Sequence, residues 1–200
     1  YGSLRLFPET RDTNADCKNF LISSTNNMAE IIPAVLPKSY DELVEKLNIV
    51  SGHSKSVQID ICDGLYVPNR SWPYIKSTKN ETNDEIFESI VSQEKALPHW
   101  EELDFEFDLM VENPHQKIPD FISAGAKRIV VHRGSVGEDE LSAIVRDYGK
   151  QSDDIDLFGT ELGIALLPND SPDLIKDIAQ KIHFVEVMGI KNIGFQGQVF

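Results

Sequence analysis

From residue 29 onward, short β-forming runs alternate with amphipathic helical segments, and this alternation restricts the chain to a parallel sheet wound with helices. The β-type runs are Ala29–Leu36, Ser56–Cys62, Leu103–Val111, Lys127–His132, Glu161–Leu167 and His183–Met188. Between them, Ser39-Tyr-Asp-Glu42 fits a capping box that opens a helix through about Val50. Further helices are expected at Asn83–Ala96, Ile118–Ala124, Glu138–Tyr148 and Ser171–Lys181. Six units fall in residues 28–200, roughly 29 residues each, whereas eight would need roughly 230 residues.

The strands are one-sided. Alternate strand residues face opposite ways, so Val57, Ile59 and Ile61 oppose Gln58, Asp60 and Cys62. Phe105, Phe107, Leu109 and Val111 oppose Asp104, Glu106, Asp108 and Met110, and Val185 and Val187 oppose Glu186 and Met188. A doubly wound sheet is apolar on both faces because helices cover both. One apolar face and one face bearing carboxylates fit a barrel, with the apolar side under the helices and the acids inside. The alternative is an antiparallel sheet with one face in solvent, against which the βα alternation argues. Barrel active sites lie at the C-terminal strand ends, where Asp60 and Asp108 fall. Buried carboxylates there need a metal, a proton or a cation.

Charge narrows the partners. Nineteen Lys and Arg against 33 Asp and Glu give a net charge of −14, which argues against general binding to nucleic acid or to an anionic membrane. No apolar run approaches the ~18 residues of a membrane span. Two cysteines make no disulfide framework, which points to a cytoplasmic setting. The first methionine is Met28, and residues 1–27 show no clear period. They are expected to be a leader outside the domain, or alternatively a short docking arm, with the domain at 28–200.

Four stretches carry a family resemblance. Gln58-Ile-Asp-Ile-Cys-Asp-Gly-Leu-Tyr-Val-Pro-Asn69 resembles the H-x-D-x-M-D-G-x-F-V-P-N signature of ribulose-phosphate 3-epimerases. Ile32-Pro-Ala-Val-Leu36 resembles P-S-I-L, and Phe107-Asp-Leu-Met-Val-Glu-Asn-Pro114 resembles H-L-M-V-x-x-P, followed by Ala124-Gly-Ala126 and Val131-His132. Val187-Met188 with Gly194-Phe-Gln-Gly-Gln198 resembles V-M-x-V-N-P-G-F-G-G-Q, with one extra residue before the glycine loop. The resemblance spans 29–200 and implies a TIM (β/α)₈ barrel of the ribulose-phosphate-binding type, with about six of its eight βα units here.

The resemblance further implies an enzyme that inverts C3 of a ketopentose 5-phosphate through a cis-enediolate. Two acid/base groups, one on each face, and an electrophile for the enediolate oxygens are then required. In the family two His and two Asp hold the metal, and the two Asp also move protons. By position Asp60 is one acid/base and a metal ligand, while Gln58 and Asp108 stand where the two His would be. Ala34 replaces a Ser and Cys62 a Met. Met188, Gly194, Gln196 and Gly197 match residues that line the substrate or cradle its phosphate through backbone N–H groups. His132 either touches substrate or packs as an ordinary strand-end histidine. The partner acid, in a V-D-G-G motif on a seventh strand, is missing, so this chain alone is expected to be inactive. The sheet would then have two open edges.

The departures bear on the cofactor. Zinc prefers nitrogen and sulfur, whereas Gln58, Asp60 and Asp108 offer oxygen, so Mg²⁺ or Mn²⁺ is as well suited as Zn²⁺ to such a divalent site. Cys62 adds sulfur or is a small buried hydrophobe. Arg133 and Lys191 either steer phosphate or are surface charges, and Trp72-Pro-Tyr74 either forms a lid or packs. Glu106 and Glu186 pair with a cation from a strand outside the sequence or bond within a polar layer. Three functions fit: a sugar-phosphate epimerase, a related phosphate-binding lyase, and a non-catalytic sugar-phosphate-binding barrel. The partner is a small sugar phosphate, with a homo-oligomer also open.

Overall fold

A computed structural model describes residues 4–6, 30–76, 82, 84–150 and 159–195. Its strands are β1 Leu4–Leu6, β2 Ala34–Val35, β3 Ser56–Cys62, β4 Asp104–Met110, β5 Ala126–His132, β6 Glu161–Leu166 and β7 Phe184–Val187. Helices α1 Tyr40–Val50, α2 Glu85–Val91, α3 Ile118–Ser123 and α4 Glu138–Tyr148 lie between them. The order across the sheet is β1-β7-β6-β5-β4-β3-β2. Strands β2 to β7 run parallel, and β1 lies antiparallel on β7. The sheet stays open between β1 and β2, as a partial α/β barrel does.

The helices start where the sequence caps them. Ser39 accepts the Glu42 N–H at 3.1 Å, and Glu42 in turn accepts the Lys38 N–H at 2.6 Å. Asp84 caps α2 by accepting the Phe87 N–H at 3.0 Å. Leu43 and Leu47 of α1, Phe87 and Ile90 of α2, Phe121 of α3 and Ile144 of α4 are buried in one cluster. That cluster also holds Val57, Ile59 and Ile61 of β3 and Phe105, Phe107 and Leu109 of β4. The apolar strand face therefore packs under the helices, as the alternation requires.

Three elements are shorter than the sequence suggests. Among the described residues 30–36 the strand is confined to Ala34–Val35, because Pro33 and Pro37 flank it and have no N–H to donate. Helix α2 stops at Val91, and Gln93 then takes a left-handed conformation with φ 64°. The expected helix at Ser171–Lys181 is a short 3₁₀ turn, Pro172–Ile175, followed by turns with i→i−3 hydrogen bonds such as Ile178 N–H to Ile175 C=O at 3.1 Å. Only Ile175 of that turn is buried, so little apolar area holds a full helix in place.

One further expectation is corrected, and one open alternative is decided in favour of packing. The edge of the His183–Met188 strand is not open: Leu4, Arg5 and Leu6 pair with Val187, Glu186 and Val185. This edge is made by main-chain pairing, for which the sequence shows no announcing period. Trp72 and Tyr74 form no lid, since each is 1% exposed and lies in the main core. A chain of rings runs from Tyr40 through Trp72, Phe87 and Phe121 to Phe107, with centroids 5.0–5.7 Å apart.

Candidate active site

Strand register stacks the inward residues in layers. Gln58 is level with Glu106, Asp60 with Asp108, and Cys62 with Met110. Glu106 is level with Arg128 and Asp108 with Val130, while His132 is level with Ala165 and Ala165 with Glu186. All of these lie on the strand face opposite the helices. Gln58, Glu106, Asp108, His132 and Glu186 are buried, and Asp60 is half-buried.

The first layer is an ion pair. Arg128 Nε donates to Glu106 Oε2 at 2.9 Å, and Glu106 is fully buried. The cation thus comes from the adjacent strand rather than from one outside the sequence.

Two further pairs reach the next layers, one of them rising from Gln58 in the first. Gln58 Nε2 donates to Asp60 Oδ1 at 2.9 Å. His132 Nε2 and Asp108 Oδ1 are 2.8 Å apart, with both side chains almost completely buried. The Nδ1 atom of His132 is buried and has no hydrogen-bond partner among the described residues.

Burial, and then the neighbouring Asp108 charge, push the Asp60 pKa up to about 8, with Glu186 adding to the rise and Gln58 opposing it. At His132 burial disfavours the charged ring, but Asp108, Glu186 and Asp60 outweigh it and raise the pKa. Burial, Asp60 and Asp108 likewise push the Cys62 thiol up, so it stays neutral. Cys62 packs with Leu36, Val67, Met110 and Ile193, which is the small-hydrophobe reading.

The loop after β3 is fastened to the strand. Ser71 Oγ donates to Asp60 C=O at 2.8 Å and accepts the Cys62 N–H at 2.8 Å. Asp63 accepts the N–H groups of Leu65, Tyr66 and Glu112 at 2.8, 3.1 and 2.7 Å. These two residues position the end of the Asp60 strand, and the sequence reading assigned neither. The available signals were the Asp63-Gly64 pair of the quoted signature and the turn-forming residues that follow it.

Gly194 closes over the same end. Its φ is +80°, and a Cβ there would lie 3.0 Å from Val67 Cγ2 and 3.4 Å from Cys62 Sγ. Asn69 Nδ2 donates to its carbonyl. Met188 packs against both Cys62's cluster and the Val130, Ala165 and Phe184 cluster. Beside Gly194, a groove of about 520 Å³ is lined by Val67, Pro68, Lys191, Asn192, Ile193 and Phe195. Gln196 and Gly197 lie outside the described residues. Arg133 is occupied away from the interior, donating to Leu174 C=O and Val136 C=O and pairing with Glu138.

The interior residues do not fit the divalent metal that the resemblance implies. Among the described residues no three His, Cys, Asp or Glu side chains come together to hold a metal ion. Asp108 Oδ1 is taken by His132, and Asp60 Oδ1 is taken by the Gln58 amide N–H. Gln58 and Asp108 also bring no nitrogen where two imidazole ligands are expected, so a zinc-type set is lacking.

Comparison with known proteins gives one family. Residues 30–200 match the ribulose-phosphate 3 epimerase family. The chloroplastic ribulose-5-phosphate-3-epimerase of Arabidopsis thaliana is 26% identical over 171 residues, covering 85% of this chain and 52% of the relative. The ribulose-phosphate 3-epimerase of Treponema pallidum is 25% identical over 172 residues, covering 84% and 65%, and that of Bacillus subtilis is 25% identical over 175 residues, covering 86% and 68%. The chain thus spans from about half to about two thirds of the length of these relatives. Among the described residues no helix is long and apolar enough to cross a membrane.

Proposed function

The chain belongs to the ribulose-phosphate 3-epimerase family, and from that membership we propose that its barrel interior binds a ketopentose 5-phosphate, ribulose 5-phosphate or xylulose 5-phosphate, and moves a proton at C3. The carrying observation is the Asp60–Asp108 layer. A carboxyl whose pKa is about 8 holds or releases a proton near neutral pH, as a general acid/base must. Asp60 takes the C3 proton, the C–H electron pair enters the C2–C3 bond, and negative charge gathers on O2. Inversion needs a second acid/base on the opposite face, and this reading assigns the chain only the Asp60 half.

We place the phosphate at Gly194 and the adjoining groove, where Lys191 offers a cation, with Gln196 and Gly197 assigned to it by the resemblance alone. Met188 and Cys62 line the apolar side of the bound sugar. With two cysteines and a net charge of −14, we place the protein in the cytoplasm with a small phosphorylated sugar, rather than nucleic acid or a membrane, as partner.

Solvent exchange tests this. Exchange at C3 needs only the Asp60 half of the site, so ribulose 5-phosphate incubated with the chain in D₂O should gain deuterium at C3 without inversion, and Asp60→Asn should abolish the gain. Phosphate-sugar binding without exchange selects the non-catalytic barrel, a reading favoured by the replacement of both expected His ligands by Gln58 and Asp108.

A further inference from the structure

Within that reading, on which this inference rests, we infer that the site works without a divalent metal and that the His132 imidazole, held by Asp108, supplies the electrophile for the sugar oxygen. Three observations lead there. The two positions that should bring nitrogen ligands carry Gln58 and Asp108. One oxygen of each remaining carboxylate is already bonded, Asp60 Oδ1 to the Gln58 amide and Asp108 Oδ1 to His132 Nε2. The second ring nitrogen of His132, inside a side chain 1% exposed, has no partner among the described residues.

A buried polar atom without a partner is costly and points to a missing ligand. Asp108 fixes Nε2 as the nitrogen that donates to it, as a carboxylate orients a histidine elsewhere. Nδ1 is then the ring atom left to meet a ligand. With a proton on Nδ1, it donates a hydrogen bond to O2 as charge develops there. The bookkeeping is closed: the C3–H bond breaks, Asp60 receives the proton, O2 carries the charge, and no bond to His132 forms. The Tyr66 ring lies beside the imidazole, tilted by 47° with centroids 5.9 Å apart, and so forms one wall around it. Asp108 is a positioning residue in this scheme, acting through the imidazole.

Two measurements decide it. First, Mn²⁺ and Zn²⁺ are titrated into the metal-stripped chain by calorimetry. The inference expects no equivalent whose binding is lost in Asp60→Asn, and binding that survives that substitution lies elsewhere and agrees with it. One equivalent of either metal that disappears in Asp60→Asn overturns it. Second, the ring nitrogens of ¹⁵N-histidine-labelled chain are followed as ribulose 5-phosphate is added, with ³¹P resonances reporting whether the sugar binds. A shift of the His132 Nδ1 resonance that is lost in Asp108→Asn is expected, and bound sugar with an unmoved Nδ1 overturns the proposal. If the ³¹P signal shows no binding at all, the proposed function fails, while the metal titration still judges the metal-free site.

Discussion

Asp60 and Asp108 sit side by side in register on adjacent parallel strands, yet each carboxylate is bonded to a different partner. Gln58 holds Asp60 and His132 holds Asp108. Two like charges at this spacing do not both stay ionised cheaply, so after burial the Asp108 charge is the next cause of the raised Asp60 pKa.

Stability should fall with rising pH because of Asp60. Its folded pKa of about 8 lies far above its ordinary value of 3.8. Below pH ~4 both folded and unfolded chains hold the proton, and the contribution is fully present. Between pH ~4 and ~8 the folded state binds the extra proton, so stability drains away through that window. The raised pKa of His132 gives a loss of the same sign. Thermal melts at pH 5.5 and 8.5 should show a drop in Tm that is clearly smaller in Asp60→Asn, and an equal drop in both would count against it.

Breaking the buried ion pair should be expensive. Glu106 is fully buried, and the Arg128 side chain is 15% exposed. Arg128→Met leaves a buried carboxylate without its cation and should cost about 3 kcal/mol. The double change Glu106→Leu with Arg128→Met should recover most of that. Urea titrations of both variants read the difference, and a double variant no better than the single one would refute the pairing.

Gly163 is a packing requirement. A Cβ at Gly163 would stand 2.3 Å from Phe184 Cε2 on the adjoining strand. Gly163→Ala should therefore destabilise by about 1–3 kcal/mol through overpacking. Adding Phe184→Leu should relieve part of the loss in the same unfolding measurement.

Ser71 should matter more than a loop serine usually does. Its hydroxyl is fully buried and bonds both Asp60 C=O and Cys62 N–H. Ser71→Ala leaves these groups short of a partner at a cost of about 1–3 kcal/mol. Amide hydrogen exchange at Cys62 should accelerate in the variant, and unchanged protection would show that the clamp is dispensable.

Residue patterns had already placed much of this. The run Ser56–Cys62 appears with its expected bounds, as does Glu138–Tyr148, because each has an uninterrupted period. Gln58, Asp60 and Asp108 share the interior face because period 2 and one-sided hydrophobicity force it. Ser171–Lys181 failed as a helix because helical spacing without an apolar face to bury gives weak support. His132 was legible as a strand-end residue but not as the Asp108 partner, since nothing local marks a contact between residues 24 apart.

Alternation of β-type and helical segments, the acid-bearing strand face and the signature around Asp60 are local properties, so the linear order of residues determined them alone. Which side chains meet was decided only by tertiary structure. Strand register and the closeness of the interior put Arg128 on Glu106 and His132 on Asp108, and main-chain hydrogen bonding brought Leu4–Leu6 to the β7 edge. Those contacts depend on where distant strands come to rest, and backbone pairing carries no side-chain pattern that a linear reading can detect.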